Sequence, residues 1–413
     1  MVRFFHFFFI FYLLVSGPAY SSAFDNLTLE KAIEIAKTNN YKLIYLNEEA
    51  RAKKYSKGVY TAAYFPQVNF HVIFPFLGRA SAFQVDQLIF DFGKLNQRIN
   101  AGKYNIKAME YQNAHSSDMV INDLTATFYK ILKLQNSMAM IKRTIATNQS
   151  LLDQAEAFLD TGRVSAMQVT KRDLELGESE LLLVQAKGNL LKLEEDLFNI
   201  LGVEKPPSVT YLSDIGYERI DLNPELIIDS NLNYLNTVKA AEMQILALKS
   251  TISALKRDFF PNLVARAAYR FEGKGVPESD KDNDLVGGLG LTWQVFSGGR
   301  TYNQIQEHKA TLNSLTAKVN LLKREASTKI RLGVIDANTE YYKIGIRQKA
   351  VGAAKTYYEY TKTKYDTGEK SQIEFLEAAS LLQRQEAEYE NSIYNYKIKI
   401  ARLEKLAGLV ITE

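Results

Sequence analysis

The chain has 413 residues, no Cys, 8 Pro, and 51 Lys+Arg against 47 Asp+Glu, for a formal net charge of +4. The absence of Cys removes disulfides, zinc–thiolate sites, thiol nucleophiles and acylated-cysteine anchors together. The near-balanced charge, with no concentrated basic block, argues against a nucleic-acid binder.

In chain order, residues 1–23 (MVRFFHFFFIFYLLVSGPAYSSA) stand apart. Arg3 gives a basic start, Phe4 to Val15 is an apolar run, and Ser21-Ser22-Ala23 fits a small-residue cleavage site. This reads as a secretory signal rather than a membrane span, which needs ~20 apolar residues. The mature chain is then expected to begin near Phe24, outside the cytoplasm. A buried N-terminal helix is the competing explanation. No later run is long and apolar enough for a spanning helix.

Two short β-like runs follow FPQVNF (65–70). Val68, Phe70, Val72 and Phe74 alternate with Gln67, Asn69 and His71, and then Phe83 and Val85 alternate with Gln84 and Asp86. Period two gives one apolar and one polar face. Beyond them, residues 76–205, 130 positions, contain no proline, and residues 278–413, 136 positions, contain none either. Proline in a helix interior costs ~3 kcal/mol, so such gaps suit very long helices. As helix, the stretch from Gly93 to Gly162 would measure ~100 Å. Residues 175–201 are rich in Leu, Glu, Lys and Ala, with apolar positions at three- and four-residue steps, as in a coiled coil. The segment 203–225 reads as a linker. In the second half, Ala265, Ala267, Tyr269 and Phe271 alternate with Arg266 and Arg270, and Leu289, Leu291, Trp293 and Val295 alternate with Gly290, Thr292 and Gln294. Between these runs, EGKGVPESDKDND (272–284) is polar and glycine-bearing, an expected exposed loop.

The halves are copies. Phe90 and Phe296, Gly93 and Gly299, Asp160 and Asp366, Ser165 and Ser371, and Gly202 and Gly408 all stand 206 positions apart. FPQVNF and FPNLVA (260–265) pair at an offset of 195, the difference falling in the polar loop. The expected organisation is a signal at 1–23 and a first repeat at 24–202 with a strand hairpin at 65–91. A linker at 203–225 and a second repeat at 226–413, with a strand hairpin at 260–296, complete it.

Asp-Thr-Gly occurs in both repeats, as Asp160-Thr161-Gly162 and Asp366-Thr367-Gly368. Paired triplets of this kind mark aspartic proteases, where two carboxylates share a proton. Here each triplet interrupts a proline-free helical stretch. Gly162 and Gly368 can take positive φ and reverse the chain, and Ser165 and Ser371 can cap the next helix, with Gln168 and Glu374 completing capping boxes. The triplets therefore read as hairpin tips, with Arg163 beside the first.

Each half supplies two strands. Four strands cannot close a membrane barrel, which needs about eight or more, and lipid does not tolerate an open sheet edge. If the strands span a membrane, several chains must share one barrel.

In combination these features resemble the TolC-type outer-membrane efflux and secretion ducts. LTLEKAIEIAKTNN (27–40) resembles the family's opening helix. FPQVNF and FPNLVA resemble its helix-to-strand transition, QLIFDFGK (87–94) and QVFSGGR (294–300) its strand-to-helix motif, and YDTGEKSQIEFLEA (365–378) the tip of its second repeat. The resemblance implies a mainly α fold with a small β part. Duplicated long helical hairpins form a coiled-coil tunnel, and four strands per chain complete a trimeric twelve-stranded barrel. It also implies a homotrimer in outer-membrane lipid, extending into the periplasm of a Gram-negative type envelope. Its partners would be a periplasmic adaptor and an inner-membrane transporter, in efflux or type I secretion, with no nucleic acid, cofactor or metal. The family's adaptor-docking tips match Asp160, Thr161, Gly162 and Arg163, and Asp366, Thr367 and Gly368. Its periplasmic constriction matches Tyr365, Lys370, Glu374 and Glu377. The sequence departs from the family pattern there: Arg is more usual at position 370 and Asp at the two acidic positions, and Lys cannot make Arg's two-pronged contact. Glu374 is also explained by its cap, and Glu377 by a solvated helix face.

Gly93, Gly298 and Gly299 fall where strand gives way to helix and read as a hinge, with no phosphate-loop spacing. Trp293 fits either a membrane-interface belt or ordinary strand packing. The four His are scattered without ligand spacing, and no catalytic constellation is visible, so an enzyme is not expected. A soluble periplasmic coiled-coil adaptor, with no barrel, is the alternative to a duct.

Overall fold

The computed structural model describes residues 24, 26–73, 80–212, 216–220, 222–272 and 285–408. The signal at 1–23, Phe74 and all but the first residue of the polar loop at 272–284 lie outside the described residues.

The elements run α1 (Leu29–Asn39), α2 (Tyr41–Ala62), β1 (Gln67–Ile73), β2 (Ala80–Phe90), α3 (Lys94–Asp160) and α4 (Ala166–Leu201). They continue as α5 (Pro224–Asn231), α6 (Asn236–Lys256), a 3-10 turn (Arg257–Phe259), β3 (Asn262–Glu272), β4 (Leu285–Thr292), α7 (Arg300–Asp366) and α8 (Gln372–Ala407). The order helix, helix, strand, strand, long helix, helix thus occurs twice. Helices α3 and α7 each have 67 residues, and α4 and α8 each have 36. The proline-free gaps hold these helices.

The chain forms two compact units. One comprises residues up to Asn40, Ile121–Arg219 and Thr339–Ala401; the other comprises Tyr41–Val120, Ile220–Asn338 and the chain from Arg402 onward.

In the first unit, α1 begins at Thr28, whose hydroxyl accepts from the Lys31 amide. Its small residues Ala32 and Ala36 let it settle against Leu124, Phe128, Ile131 and Leu132 of α3 and Leu197, Phe198 and Leu201 of α4, all buried. Phe24 meets Phe198 edge-on at 5.5 Å. Helix α4 stops at Gly202, left-handed at φ 72. The chain then runs beside its own start: the Leu27 amide donates to the Thr210 carbonyl at 2.8 Å, and the Leu212 amide to the Leu27 carbonyl at 3.0 Å. Further along, Tyr217 meets Tyr341 and Tyr396 edge-on, and the Tyr396 hydroxyl donates to the Glu218 carbonyl at 3.1 Å. The linker is therefore tied down by backbone pairing at one end and aromatic contacts at the other.

In the second unit, α5 starts on a proline after Asn223, whose side chain caps the Glu225 amide. Glu225 receives two parallel bonds from Arg331 of α7 at 2.9 and 3.1 Å. Leu235, Val238 and Ala241 pack against Val319. The same unit holds one antiparallel sheet in the order β1-β2-β3-β4.

Candidate functional site

Three places carry the functional chemistry: the sheet, the turns that lead from strand to helix, and the interhelical tips.

The pairing register sorts the sheet into two faces. Phe70 pairs with Phe83, Phe83 with Tyr269, and Tyr269 with Leu285; Val68 pairs with Val85, Val85 with Ala267, and Ala267 with Gly287; Leu263 pairs with Leu291 and Ala265 with Leu289. Alternation puts these on one side, which is apolar across the four strands but for Gln87, opposite Ala265. The other side carries Gln67 opposite Asp86, Asp86 opposite Arg266 and Arg266 opposite Gly288, with Asn69 opposite Gln84 in the next row. Among the described residues nothing covers the apolar side: Val68, Phe70, Leu285, Leu289 and Leu291 are 55–75 % exposed. Among the described residues β1 and β4 each pair on one side only, so both sheet edges are open. The expected strand through Val295 ends earlier, at Thr292. Trp293 has left the ladder, and its indole N–H donates to the Phe259 carbonyl at 3.0 Å, tying it to the start of β3.

The strand-to-helix turns are where Gly93, Gly298 and Gly299 stand, with φ of 79, 65 and 79. In the first repeat, Asp91 supplies both carboxylate oxygens to the entry of α3, accepting from the Gly93 amide at 2.9 Å and the Leu95 amide at 2.5 Å. Phe92 is itself left-handed at φ 56 and stacks on Phe260 at 5.0 Å. The Arg257 Nε donates to the Phe92 carbonyl at 2.8 Å, and Lys94 pairs with Asp258. Sequence reasoning singled out the glycines and missed Asp91, Phe92, Arg257 and Asp258. Asp91, four residues before a helical amide, was the one local signal available.

At the first tip, Gly162 is left-handed at φ 71. The Arg163 amide closes α3 on the Phe158 carbonyl at 2.8 Å, and the Arg163 guanidinium lies 5.8 Å from the Phe158 ring centre. Asp160, Thr161 and Arg163 are exposed. The expected capping box does not form. Ser165 makes no side-chain cap bond, because the Gln168 amide donates to the Ser165 carbonyl at 2.9 Å in a tight turn instead.

The second tip is more tightly knit. Gly368 is left-handed at φ 76, and Asp366, Thr367 and Gly368 are exposed. The Glu369 amide donates to the Lys364 carbonyl at 2.8 Å, and Lys364 Nζ donates to the Glu369 carboxylate at 2.5 Å. Here the capping box is complete: the Glu374 amide donates to Ser371 Oγ at 3.3 Å, and Glu374 Oε2 accepts from the Ser371 amide at 3.0 Å. Glu374 also takes an ion pair from Lys370. The Lys370 ammonium and then the Ser371 amide hold the Glu374 carboxyl below its ordinary range, and Glu374 holds Lys370 above its own. The Tyr365 ring stacks on Phe375 at 5.1 Å. Glu377 is exposed one turn further on. The structure thus joins Lys370 to Glu374 and leaves Tyr365 and Glu377 apart from that pair.

Among the described residues no helix is long and apolar enough to cross a membrane, and no group of three or more His, Asp or Glu is placed to hold a metal. Among the described residues, the sheet presents a broad, exposed apolar face.

The family model "Outer membrane efflux protein" matches residues 79–203 and 227–409. Outer membrane protein TolC of Escherichia coli (strain K12) is 21 % identical over 350 residues, covering 80 % of this chain and 69 % of that protein. Among solved structures, the Campylobacter jejuni CmeC outer membrane channel superposes with a TM-score of 0.77 at 16 % identity, covering 93 % of this chain and 87 % of that one. The open state of the Neisseria gonorrhoeae MtrE outer membrane channel gives a TM-score of 0.71 at 13 % identity, covering 92 % and 89 %. The matched family comprises membrane channels, which sets aside the soluble adaptor and the protease. The chain belongs to the outer membrane efflux protein family and is a passive outer-membrane efflux channel that reaches into the periplasm, not an enzyme.

Proposed function

We propose that the channel works as a homotrimer, each chain's sheet forming one third of a twelve-stranded barrel. The observation that carries this is the four-stranded sheet itself, with an uncovered apolar face and two open edges. Four strands are too few to close alone, and lipid would leave the edge amides and carbonyls of β1 and β4 without partners. Copies of the same sheet satisfy both edges at once: β4 of one chain pairs with β1 of the next. The chain itself is two repeats, 24–202 and 226–413, joined by 203–225.

In this assembly the duct receives its cargo from an inner-membrane transporter through a periplasmic adaptor and has no energy source of its own. The cargo is either small solutes, in a tripartite efflux pump, or protein, in type I secretion. The adaptor docks at the tips, on Asp160, Thr161, Gly162 and Arg163 and on Asp366, Thr367 and Gly368. Tyr365, Lys370, Glu374 and Glu377 line the periplasmic constriction, and the turns at Gly93, Gly298 and Gly299 are the hinges between barrel and helices. Because Lys370 is already engaged by Glu374 of its own chain, a link from Lys370 to a neighbouring chain requires that pair to open. Glu377, exposed and carrying the family's acidic position, is the charge offered to passing ions.

The test is conductance in planar bilayers. Wild-type protein forms pores that prefer cations, and Glu377→Ala or Glu377→Lys weakens that preference, as expected for charge at a constriction. Reversal potentials unchanged across a salt gradient would remove Glu377 from the selectivity of the duct.

A further inference from the structure

Among the described residues, the polar side of the sheet holds one ion pair, and its geometry is one-sided. Asp86 of β2 and Arg266 of β3 face each other across the pairing that joins the two strand hairpins. Arg266 Nε donates to Asp86 Oδ1 at 2.7 Å, while Gln84 Nε2 donates to Asp86 Oδ2 at 2.6 Å. Both carboxylate oxygens are therefore engaged. The arginine is engaged through Nε alone, and its two terminal nitrogens have no partner among the described residues. Exposure follows the same asymmetry: the Arg266 side chain is 64 % exposed and the Asp86 side chain 25 %. Across from Arg266 on β4 stands Gly288, which offers no side chain of its own to that flank.

We propose that Arg266, backed by Asp86, is a specificity-determining residue of the pore, a lumen-facing fork that contacts the carboxylate, phosphate or sulfonate groups of anionic solutes as they pass the barrel. The chemistry is that of a planar guanidinium with its outer edge free, which matches two oxygens of an anion at once. Asp86 orients the fork without cancelling it, because the carboxylate lies on the Nε side, away from the open edge. In a closed barrel with its apolar side in lipid, this polar side lines the lumen, and each chain contributes one such fork. The inference rests on the channel assembly proposed above. It assigns the barrel a preference for anionic groups, opposite in sign to the preference that Glu377 gives the constriction.

The experiment uses the full-length protein in planar bilayers, with two readouts: reversal potential across a potassium chloride gradient, and block by inorganic tripolyphosphate. Arg266→Gln moves the permeability ratio toward cations and Asp86→Asn moves it toward anions, each by about twofold. Tripolyphosphate lowers wild-type conductance and leaves Arg266→Gln unaffected. Arg266→Lys, which keeps the charge but loses the fork, retains the wild-type reversal potential and loses most of the block. Conducting variants with wild-type reversal potentials and wild-type block would overturn the assignment of Arg266 while leaving the channel intact. Failure of wild-type protein to conduct would instead strike at the channel assembly.

Discussion

Gly202 and Gly408 occupy equivalent positions, 206 residues apart, and both are left-handed, with φ of 72 and 66. Their surroundings differ. A Cβ on Gly202 would lie 2.2 Å from the Asn39 carbonyl oxygen, a backbone atom held where α1 ends, whereas a Cβ on Gly408 would meet the tip of the Leu235 side chain at 3.4 Å. Gly408→Ala is expected to cost only the left-handed penalty, about 1–2 kcal/mol. Gly202→Ala adds a backbone clash and is expected to cost about 2–4 kcal/mol. Thermal unfolding midpoints of the two variants in detergent check this, and equal shifts would contradict the account. A second contrast between repeats lies at the strand-to-helix turn. Phe92 is left-handed where the second repeat has Gly298, and it keeps that strained backbone among the Phe260 ring and the Arg257 bond to its carbonyl.

At the scale of elements, the tips show how much a short local pattern can decide. The sequence offers S-x-x-Q and S-x-x-E at matching places, and the structure completes only the second. Ser371→Ala is therefore expected to lower the thermal midpoint by the equivalent of about 1 kcal/mol, and Ser165→Ala by only a few tenths. The Lys370–Glu374 pair adds a pH dependence. The carboxyl is depressed, so its contribution is full above the ordinary carboxylate pKa and is lost as pH falls through the lowered value. The ammonium is raised, so its contribution is full below the ordinary lysine pKa and is lost as pH rises through the raised one. The pair is thus intact across neutral pH and fails first in acid. If it restrains the second tip, acid should change wild-type conductance in the same direction as Glu374→Gln does at neutral pH, and the variant should respond to acid less than wild type does. A variant that keeps the full wild-type pH response would exclude this pair as its source. Helix ends, long helices and the tip turns were legible because glycine, proline and capping residues act within a few positions of themselves. The Ser165 exception arose from a competing backbone acceptor that no residue pattern announces.

At the scale of the whole molecule, the duplication and the alternating runs were legible, and so was the shortage of strands. The register was not. The pairing of β2 with β3 brings Asp86 to Arg266 across 180 positions, and nothing local to either residue marks the other. The clamp of Arg257 on Phe92 is equally remote in sequence, at 165 positions. Loop-closing contacts of this range depend on the whole fold, which is why sequence reading singled out the turn glycines but not the side chains around them. What the register adds is a sheet with one largely apolar face, one largely polar face and, among the described residues, two unpaired edges. Helix α4 makes a similar demand: Met167, Leu174, Leu181, Val184 and Leu191 stand exposed at three- and seven-residue spacings, an apolar stripe of the kind that a partner helix covers.

In the proposed assembly these sheets close only together. Its most direct test is the mass of the mature protein in detergent, measured by light scattering and corrected for bound detergent. Three chains per particle would supply twelve strands, enough for a closed barrel. A monomer that stays soluble without detergent would contradict it, since the apolar face and both sheet edges would then have nothing to join.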